Sequence, residues 1–478
     1  MTKILLFILL ILVVLIAVVL LRTVLLKPTS AKTAKINLDT SSRAEEYGKL
    51  LARMVQHETI SSRFDQDVNK FLSFHAILEN IFPNVHKTCE KHVFDGSLLF
   101  KWSGTGKQDP ILLMSHQDVV EATGTWEHEP FSGDIDETGR VWGRGTVDTK
   151  ASLFCFLEAV EELIAEGFTP PCDVYLASSC TEEWSGGGAP ATVAYLKEQG
   201  VHLSFLIDEG GMIIEEPIAG VKGIYGMVGV VEKGYGDLRF TARGKGGHAS
   251  APGKNTPLIR LGKFMSETEK HYPFTSKFSP TVEEMFKRVT PNMNFGMKLV
   301  FANMWLFKPL LKKLLPIISP AAGAMLRTTL AFTMAKGADG LNVLPQEAYV
   351  TGNMRYIPHQ PNDESIAIIT KLAEKFNIET EVIYQDPPCP VVDFNSDAFH
   401  LIEEAAGEIY PGVGICPYVM TGGTDAKYYS DICDNCLRFA PLYIDQQQYQ
   451  SIHGLNENIF QGALPLGVDF YKTILHKI

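Results

Sequence analysis

The sequence predicts an α/β fold with a smaller α+β domain inserted in it, behind a single N-terminal transmembrane helix. Three observations predict it. Residues Ile4 to Leu21 form an unbroken apolar run. Beyond Arg43, short apolar runs alternate with stretches of helical periodicity, the pattern of buried strands between helices. After Gly234 the strands become alternating, and from about Asp386 the first texture resumes. The boundaries are an anchor at 4–26, a polar stalk at 27–40, a main domain in two parts at 41–235 and 386–478, and an insert at 236–385.

The anchor comes first. A helix rises about 1.5 Å per residue and needs roughly 20 residues to cross a bilayer core. The run, extended by Thr23 to Leu26, is long enough. A signal peptide has a shorter apolar core of about 7–15 residues, so an uncleaved anchor is expected. Thr29-Ser30-Ala31 would be the cleavage site if one existed. A core helix would show a polar face, and this segment has none. Lys3 precedes the run, while Arg22, Lys27, Lys32 and Lys35 follow it. Counted literally, the positive-inside rule keeps the large domain in the cytoplasm. No later segment has a comparable charge-free run, so one span is predicted.

Composition narrows the function. The 478 residues are 45% hydrophobic and 21% charged, an ordinary globular mix. There are 43 basic and 55 acidic side chains, a formal charge of −12. That balance excludes sequence-independent nucleic-acid binding, which needs basic patches against phosphate. It suits a protein that collects divalent metal on carboxylates. Eight cysteines are too few for a disulfide scaffold. Cys433 and Cys436 alone are close in sequence, and one such pair makes neither a zinc ribbon nor a redox site.

The remaining elements follow in order. Arg43 to Phe82 carries helical spacing through Leu50, Leu51, Met54 and Val55. Strands are predicted at 98–102, 110–115, 173–179 and 205–208, and helices at 151–166 and 190–199. In the insert, 237–243, 348–355 and 379–384 are strands and 364–376 is an amphipathic helix. A long helical region is expected to run to about Met334. Its stretch from Phe295 is rich in Leu, Phe, Met and Trp. That richness fits lid helices packed on the insert's sheet or a partner subunit; it also fits an acyl-chain channel or a surface dipping into a membrane.

Five clusters carry chemistry. His116 and Asp118 follow the strand-like run Ile111-Leu112-Leu113, at the carboxyl end where open α/β sheets bind ligands. A carboxylate two residues from a histidine can accept its second ring N–H and set its tautomer, as supporting groups do in metal sites. Asp148 lies in Gly143-Arg144-Gly145-Thr146-Val147-Asp148-Thr149-Lys150, just before a helix, where a capping role stays open. Glu182-Glu183 and Asp208-Glu209 close two further strands, and His453 lies far away in Ser-Ile-His-Gly. Two histidines and three carboxylates match borderline and hard divalent metals, zinc above all.

Together, His116-x-Asp118, Gly143-Arg144-Gly145-x-x-Asp148-x-Lys150, Glu182-Glu183, Asp208-Glu209 and His453 resemble the di-zinc aminoacylase and carboxypeptidase S family of metallopeptidases. The resemblance spans nearly everything after the anchor. Asn303 to Leu310, Leu326 to Thr329 and Gly340 to Pro345 are similar to the branch of carboxypeptidase S and the secreted hydrolases of N-fatty-acyl amino acids. It implies a catalytic domain with a mixed central sheet flanked by helices, and an inserted lid that also mediates dimerisation. It implies two zinc ions, replaceable by Co2+ or Mn2+. His116, Asp148 and Asp208 would hold one; Asp148, Glu183 and His453 would hold the other. Glu182 would be the general base for an attacking hydroxide between the zincs, and Asp118 would orient His116. In the lid, His248 would stabilise the oxyanion. Asn342 and Arg355, with Gly423 and Thr424 of the main domain, would bind substrate. Thr149 departs from the pattern, since many members carry aspartate there.

The implied reaction is hydrolysis of the amide bond next to a C-terminal or N-acylated amino acid. The partners implied are a small peptide or N-acyl amino acid, a membrane through the N-terminal helix and a second copy through the lid. No nucleic acid is implied. The resemblance places the catalytic domain outside the cytoplasm, against the literal charge count. Two other readings remain at this stage: a di-zinc aminopeptidase or deacylase of small polar metabolites, and an inactive binding protein on the same scaffold. The second would be marked by loss of Glu182 or a ligand, and none is lost.

Overall fold

The computed structural model describes residues 2–65 and 67–478. A mixed ten-stranded sheet forms the body. Its central strands Val174–Ser178, Ile111–Met114, Phe205–Asp208 and Cys436–Arg438 run parallel to one another. Each is three to five residues long and buried. That burial on both faces is why they are apolar runs in sequence. Ser97–Trp102 and Glu90–Phe94 add antiparallel at one edge. Ile224–Glu232 pairs with Gly414–Met420 in parallel and Ile213–Glu215 antiparallel. Helices Ala151–Ala165 and Leu464–Lys477 pack together on the sheet, through Phe154, Leu157, Val160, Phe470, Tyr471 and Ile474.

The second sheet has four antiparallel strands, in the order Thr329–Lys336, Glu347–Tyr356, Gly234–Arg243 and Glu379–Asp386. Helices Pro257–Lys270 and Asn362–Glu374 cover it. The resulting core is separate from the body's and is built on Leu238, Phe240, Phe264, Val350, Met354 and Ile369. The alternating burial along Gly234–Arg243 is the period of a sheet with one covered face.

Three expectations are corrected. The helical stretch from Arg43 to Phe82 is two helices, Ser42–Val55 and Asn69–Ile81. The chain between them pairs with the His116 loop: Val119 N–H donates to Thr59 O at 3.1 Å and Ser61 N–H to Val119 O at 3.2 Å. The helical region after the lid's first strand ends at Leu326, and Thr329–Lys336 is a strand. Its β-branched and aromatic residues suit a pleated surface. Helices Pro280–Val289, Phe295–Phe301, Met304–Ile318 and Pro320–Leu326 do not pack on the lid sheet. Their inner residues, among them Val282, Phe286, Leu311 and Leu326, join the body's core. Helix Pro280–Val289 lies on strand Gly414–Met420.

The N-terminal helix runs Thr2–Leu25, and only Val19 and Thr23 are buried. Among the described residues it is the one helix long and apolar enough to cross a membrane. The segment expected as a stalk lies against the body instead. Ala31 is buried, and Thr29 N–H donates to Asn292 Oδ1 at 3.0 Å. Gly223, at φ +108°, permits this, since a Cβ there would stand 2.1 Å from Ala31 O. All eight cysteines are free, Cys433 and Cys436 included.

Helix Ala151–Ala165 carries three acids in a row of turns. Glu161 accepts from Asn84 N–H and Val85 N–H at 2.9 and 2.8 Å, and Glu162 pairs with Arg43 and Lys472. Glu158 has no such partner. Burial, then Glu162 and Glu161, pushes its carboxyl up to about 8 from 4.5. The folded chain therefore keeps a proton that the unfolded chain has released, and stability falls as pH rises from about 4.5 to about 8. Glu158→Gln is expected to flatten that decline. Urea midpoints of the two proteins should converge at the acid end of the window and separate, variant higher, at its upper end.

Candidate metal centre

The site forms where the parallel strands end. His116 stands two residues beyond strand Ile111–Met114, Glu182 and Glu183 beyond Val174–Ser178, and Asp208 ends Phe205–Asp208. Consecutive parallel strands deliver their carboxyl ends to one edge of the sheet, which brings these residues together.

Asp148 arrives on an irregular turn, and an acid from the far end of the chain shapes that turn. Glu457 is fully buried. One of its oxygens accepts from Val147 N–H at 2.8 Å and Asp148 N–H at 3.0 Å. The other accepts from Gly145 N–H at 3.0 Å and Arg144 Nη1 at 2.7 Å. Gly143, at φ +146°, lets the turn pass Val55, whose Cγ1 would lie 2.4 Å from a Cβ there. Lys150, also buried, donates to Met54 O at 3.0 Å and His57 O at 2.8 Å, tying the turn to the end of helix Ser42–Val55.

Asp148 then bridges two histidines. Its Oδ1 is 3.0 Å from His116 Nε2 and its Oδ2 3.0 Å from His453 Nε2. His453 Nε2 is also 3.2 Å from Glu183 Oε2. Donor atoms of His116, Asp148 and Glu183 all lie within 4.8 Å of one another. Glu182 Oε2 stands 4.0 Å from His116 Nε2.

The donor set fits divalent metal. His116 Nδ1 is 2.9 Å from the main-chain carbonyl of Asp118, which accepts its N–H and leaves Nε2 as the ring atom that faces Asp148, where a metal ion can replace a proton. Glu183 Oε1 is buried without a hydrogen-bond partner. Nitrogen and carboxylate donors suit zinc and its neighbours rather than soft metals. The titrations agree. Burial pushes the carboxyls of Glu182, Glu183 and Glu209 up, and neighbouring acids push the same way. His453 is held up to about 10 by its hydrogen bonds to Asp148 and Glu183. Burial opposes the charge on Asp148, but His116 and His453 hold its carboxyl below the usual range.

The other expected residues are placed as follows. Asp118 meets His116 Nδ1 twice, through its main-chain carbonyl at 2.9 Å and its Oδ1 at 3.5 Å. The carboxylate also accepts from Ser61 Oγ at 2.5 Å, Glu182 N–H at 3.3 Å and Glu183 N–H at 3.2 Å. It holds the two glutamates by their backbone.

Asp208 is not among the clustered residues. Its oxygens accept from Glu209 N–H and Ala426 N–H, each at 2.8 Å. Glu209 is the neighbour whose titration is set, after burial, by Asp148 and His116. Thr424 is buried and donates to Glu232 at 2.5 Å, and a Cβ on Gly423 would stand 4.0 Å from Glu232 Oε2. In the lid, His248 is exposed and bonded to Ser250 at 2.7 Å. Ala249 N–H donates to Asn342 O at 2.9 Å, so His248 and Asn342 share one corner. Arg355 lies over the Tyr235 ring at 4.6 Å. Among the described residues, no hydrogen bond or ion pair joins His248, Asn342 or Arg355 to the cluster.

Sequence reasoning assigned no role to Ser61, Glu209, Asp425 or Glu457. Asp425 is buried with an unpartnered oxygen, and burial, then Asp208 and Asp118, pushes its carboxyl up to about 7. Glu209 lies beside Asp208 at a strand's end, and its type was the only signal.

Residues 112–477 match Peptidase family M20/M25/M40. The chain belongs to this family. It is 31% identical over 445 residues to the probable carboxypeptidase S-like 2 of Dictyostelium discoideum, covering 90% of this chain and 84% of that one. It is 32% identical over 421 residues to the N-fatty-acyl-amino acid synthase/hydrolase PM20D1 of Xenopus tropicalis, covering 87% and 82%. Carboxypeptidase S of Saccharomyces cerevisiae is 29% identical over 464 residues, covering 85% and 78%. The M20 family metallo-carboxypeptidase Sso-CP2 of Sulfolobus solfataricus shares the fold, with a TM-score of 0.65 at 17% identity over 90% of this chain and 98% of that one. As an M20/M25/M40 peptidase, the protein is a hydrolase of the metallo-carboxypeptidase and aminoacylase type.

Proposed function

We propose that this protein is a membrane-anchored, two-metal hydrolase of the amide bond next to an amino acid bearing a free carboxylate. Its substrate would be an N-acyl amino acid or the C-terminal residue of a short peptide. The observation that carries this is one carboxylate, Asp148, shared between His116 and His453, with the Glu182 carboxylate 4.0 Å from His116 Nε2. The names of the relatives support the substrate class.

His116, Asp148 and Glu209 would hold one zinc, and Asp148, Glu183 and His453 the other. Glu209 would take the place expected for Asp208, since Asp148 and His116 act on its carboxyl after burial, whereas Glu232 and Arg438 are the charges that act on Asp208. Bound there, divalent ions would acidify a water and polarise the scissile carbonyl. Glu182 takes the proton from the attacking water and passes it to the leaving nitrogen, since burial raises the affinity of its carboxyl for protons. Asp118 fixes Glu182 by its N–H and keeps the carboxylate aimed at the site. Arg355 makes no ion pair among the described residues, so its fork is free for the substrate carboxylate. His248, with Asn342 beside it, would meet the carbonyl oxygen, and Gly423 and Thr424 would border the carboxylate end. A second copy would pair through the lid.

The test is release of free amino acid by the full chain in detergent, from blocked dipeptides and N-fatty-acyl amino acids. Chelator is expected to reduce turnover to background, and zinc to restore it. Cobalt or manganese should restore part of it. The ranking of the panel chooses peptidase or acylase. Turnover that survives metal removal would overturn the mechanism, and full metal binding without turnover of any panel member would overturn the substrate class.

A further inference from the structure

Helix Met304–Ile318 shows solvent an apolar stripe that nothing in the chain covers. Trp305, Leu306, Leu310, Leu314, Ile317 and Ile318 are 37% to 78% exposed. The three- and four-residue spacing puts Leu306, Leu310, Leu314 and Ile317 on one face. The opposite face buries Leu311 and Leu315 in the body's core, so the helix is fixed and the stripe's direction with it. Lys313 lies beside the stripe, while Lys312 lies one turn from Lys308 on another face, and Lys308 is tied to Glu283 at 2.5 Å.

The helix begins where the N-terminal helix is clamped. Asn303, fully buried, donates to Val19 O at 3.1 Å and Thr23 Oγ1 at 3.2 Å. Lys298 donates to Leu26 O, near the end of the same helix. Val19 is three residues before Arg22, the first charge after the apolar run. At about 1.5 Å per residue, Asn303 meets the anchor roughly one turn inside its charged end. That is the depth at which hydrocarbon gives way to headgroups. Trp305 follows at once, and tryptophan is enriched at that depth. A cleft of about 780 Å³ opens between the anchor's foot and this helix, with Leu25, Leu26, Phe301 and Trp305 on its apolar wall and Arg22, Lys287, Glu283 and Glu284 on its charged one.

We propose that the outer face of helix Met304–Ile318 is embedded in the lipid surface beside the anchor. The protein would then rest on the bilayer through two elements. This rests on the reading of Thr2–Leu25 as a transmembrane anchor. The occupant is a bilayer because the stripe lies beside an element whose exposed surface from Ile4 to Leu21 is apolar, and because Lys313 flanks it as lysines flank helices lying in anionic interfaces.

The test uses the full chain in vesicles of phosphatidylcholine with a minority of phosphatidylserine. A nitroxide is placed at Leu310→Cys or, as a second position on the stripe, Leu306→Cys. Leu9→Cys in the anchor and Lys107→Cys on an exposed loop are controls, and the unsubstituted chain gives the background of its own buried thiols. Collisional relaxation by oxygen, which partitions into lipid, is compared with that by a water-soluble nickel chelate. The expected oxygen-to-nickel ratio at both stripe positions is several-fold above that at Lys107→Cys and below that at Leu9→Cys. A ratio equal to that of Lys107→Cys at both positions, with Leu9→Cys deep in lipid, overturns the inference and leaves the anchor standing. A water-exposed Leu9→Cys overturns the anchor and the inference with it. Spin–spin broadening on the stripe that disappears on dilution with unlabelled protein assigns the face to a second copy, and overturns the inference too.

Discussion

Glu182→Gln is expected to lower kcat by about 10²- to 10⁴-fold while the metal content stays unchanged. The substitution keeps the side chain's shape and leaves the backbone contact from Glu182 N–H to Asp118 in place. What it removes is the capacity to take a proton and give it back. In the structure this carboxylate is largely buried and stands 4.0 Å from His116 Nε2, with its proton affinity raised by burial and only partly offset by His116. Among the described residues it makes none of the close contacts that His116 makes to Asp148 and Glu183 to His453. Metal per chain, measured beside kcat and KM, separates the two roles. A fall in kcat with metal retained assigns Glu182 to proton transfer. A loss of metal would make it a ligand, and a fall of less than about tenfold would put the base elsewhere.

Glu457→Ala is expected to destabilise the folded chain by about 3–5 kcal/mol, the cost of leaving one member of a buried ion pair uncompensated. Arg144 is the charge left behind, at 2.7 Å from the removed oxygen and itself buried. Gly145, Val147 and Asp148 lose their acceptor at the same time. Those N–H groups set the turn that aims Asp148, so the variant should also bind metal more weakly. Glu457→Gln keeps an acceptor oxygen and should cost less on both counts. The urea midpoint with metal removed reads the first effect, and a metal titration reads the second. An unchanged midpoint for Glu457→Ala would mean that the turn is held by the chain around it. Weaker metal binding without any loss of stability would make Glu457 a positioning group only.

The two effects differ in how visible they were beforehand. Glu182 stands beside a second glutamate at the end of an apolar run, followed by glycines, and that pattern singles it out. Glu457 follows an asparagine near the chain's end, and its type says nothing of a turn three hundred residues earlier. The same contrast holds at Asp208-Glu209. Both acids end one strand, so sequence places both at the site. What the Asp208 carboxylate meets depends on Ala426 N–H, delivered from elsewhere in the chain. Asp118 is similar. Its position two residues after His116 was legible. Its main-chain contact to the ring and its hold on Glu182 and Glu183 were not, because Ser61 and the two N–H groups that compete for its carboxylate come from other segments.

By itself, then, the sequence determined the α/β class, the inserted sheet, the apolar N-terminal helix and the kind of chemistry at the strand ends. These follow from periodicity, run length and side-chain type, all local properties of the chain. Tertiary structure alone decided how the helices between Pro280 and Leu326 pack. Their apolar faces suited either core equally, and the body's strand Gly414–Met420 and the clamp on Val19 and Thr23 took them. It also decided what each acid at the strand ends meets. At a strand's end the direction of a carboxylate is set by the hydrogen-bond donors that reach it, and here those donors come from distant parts of the chain.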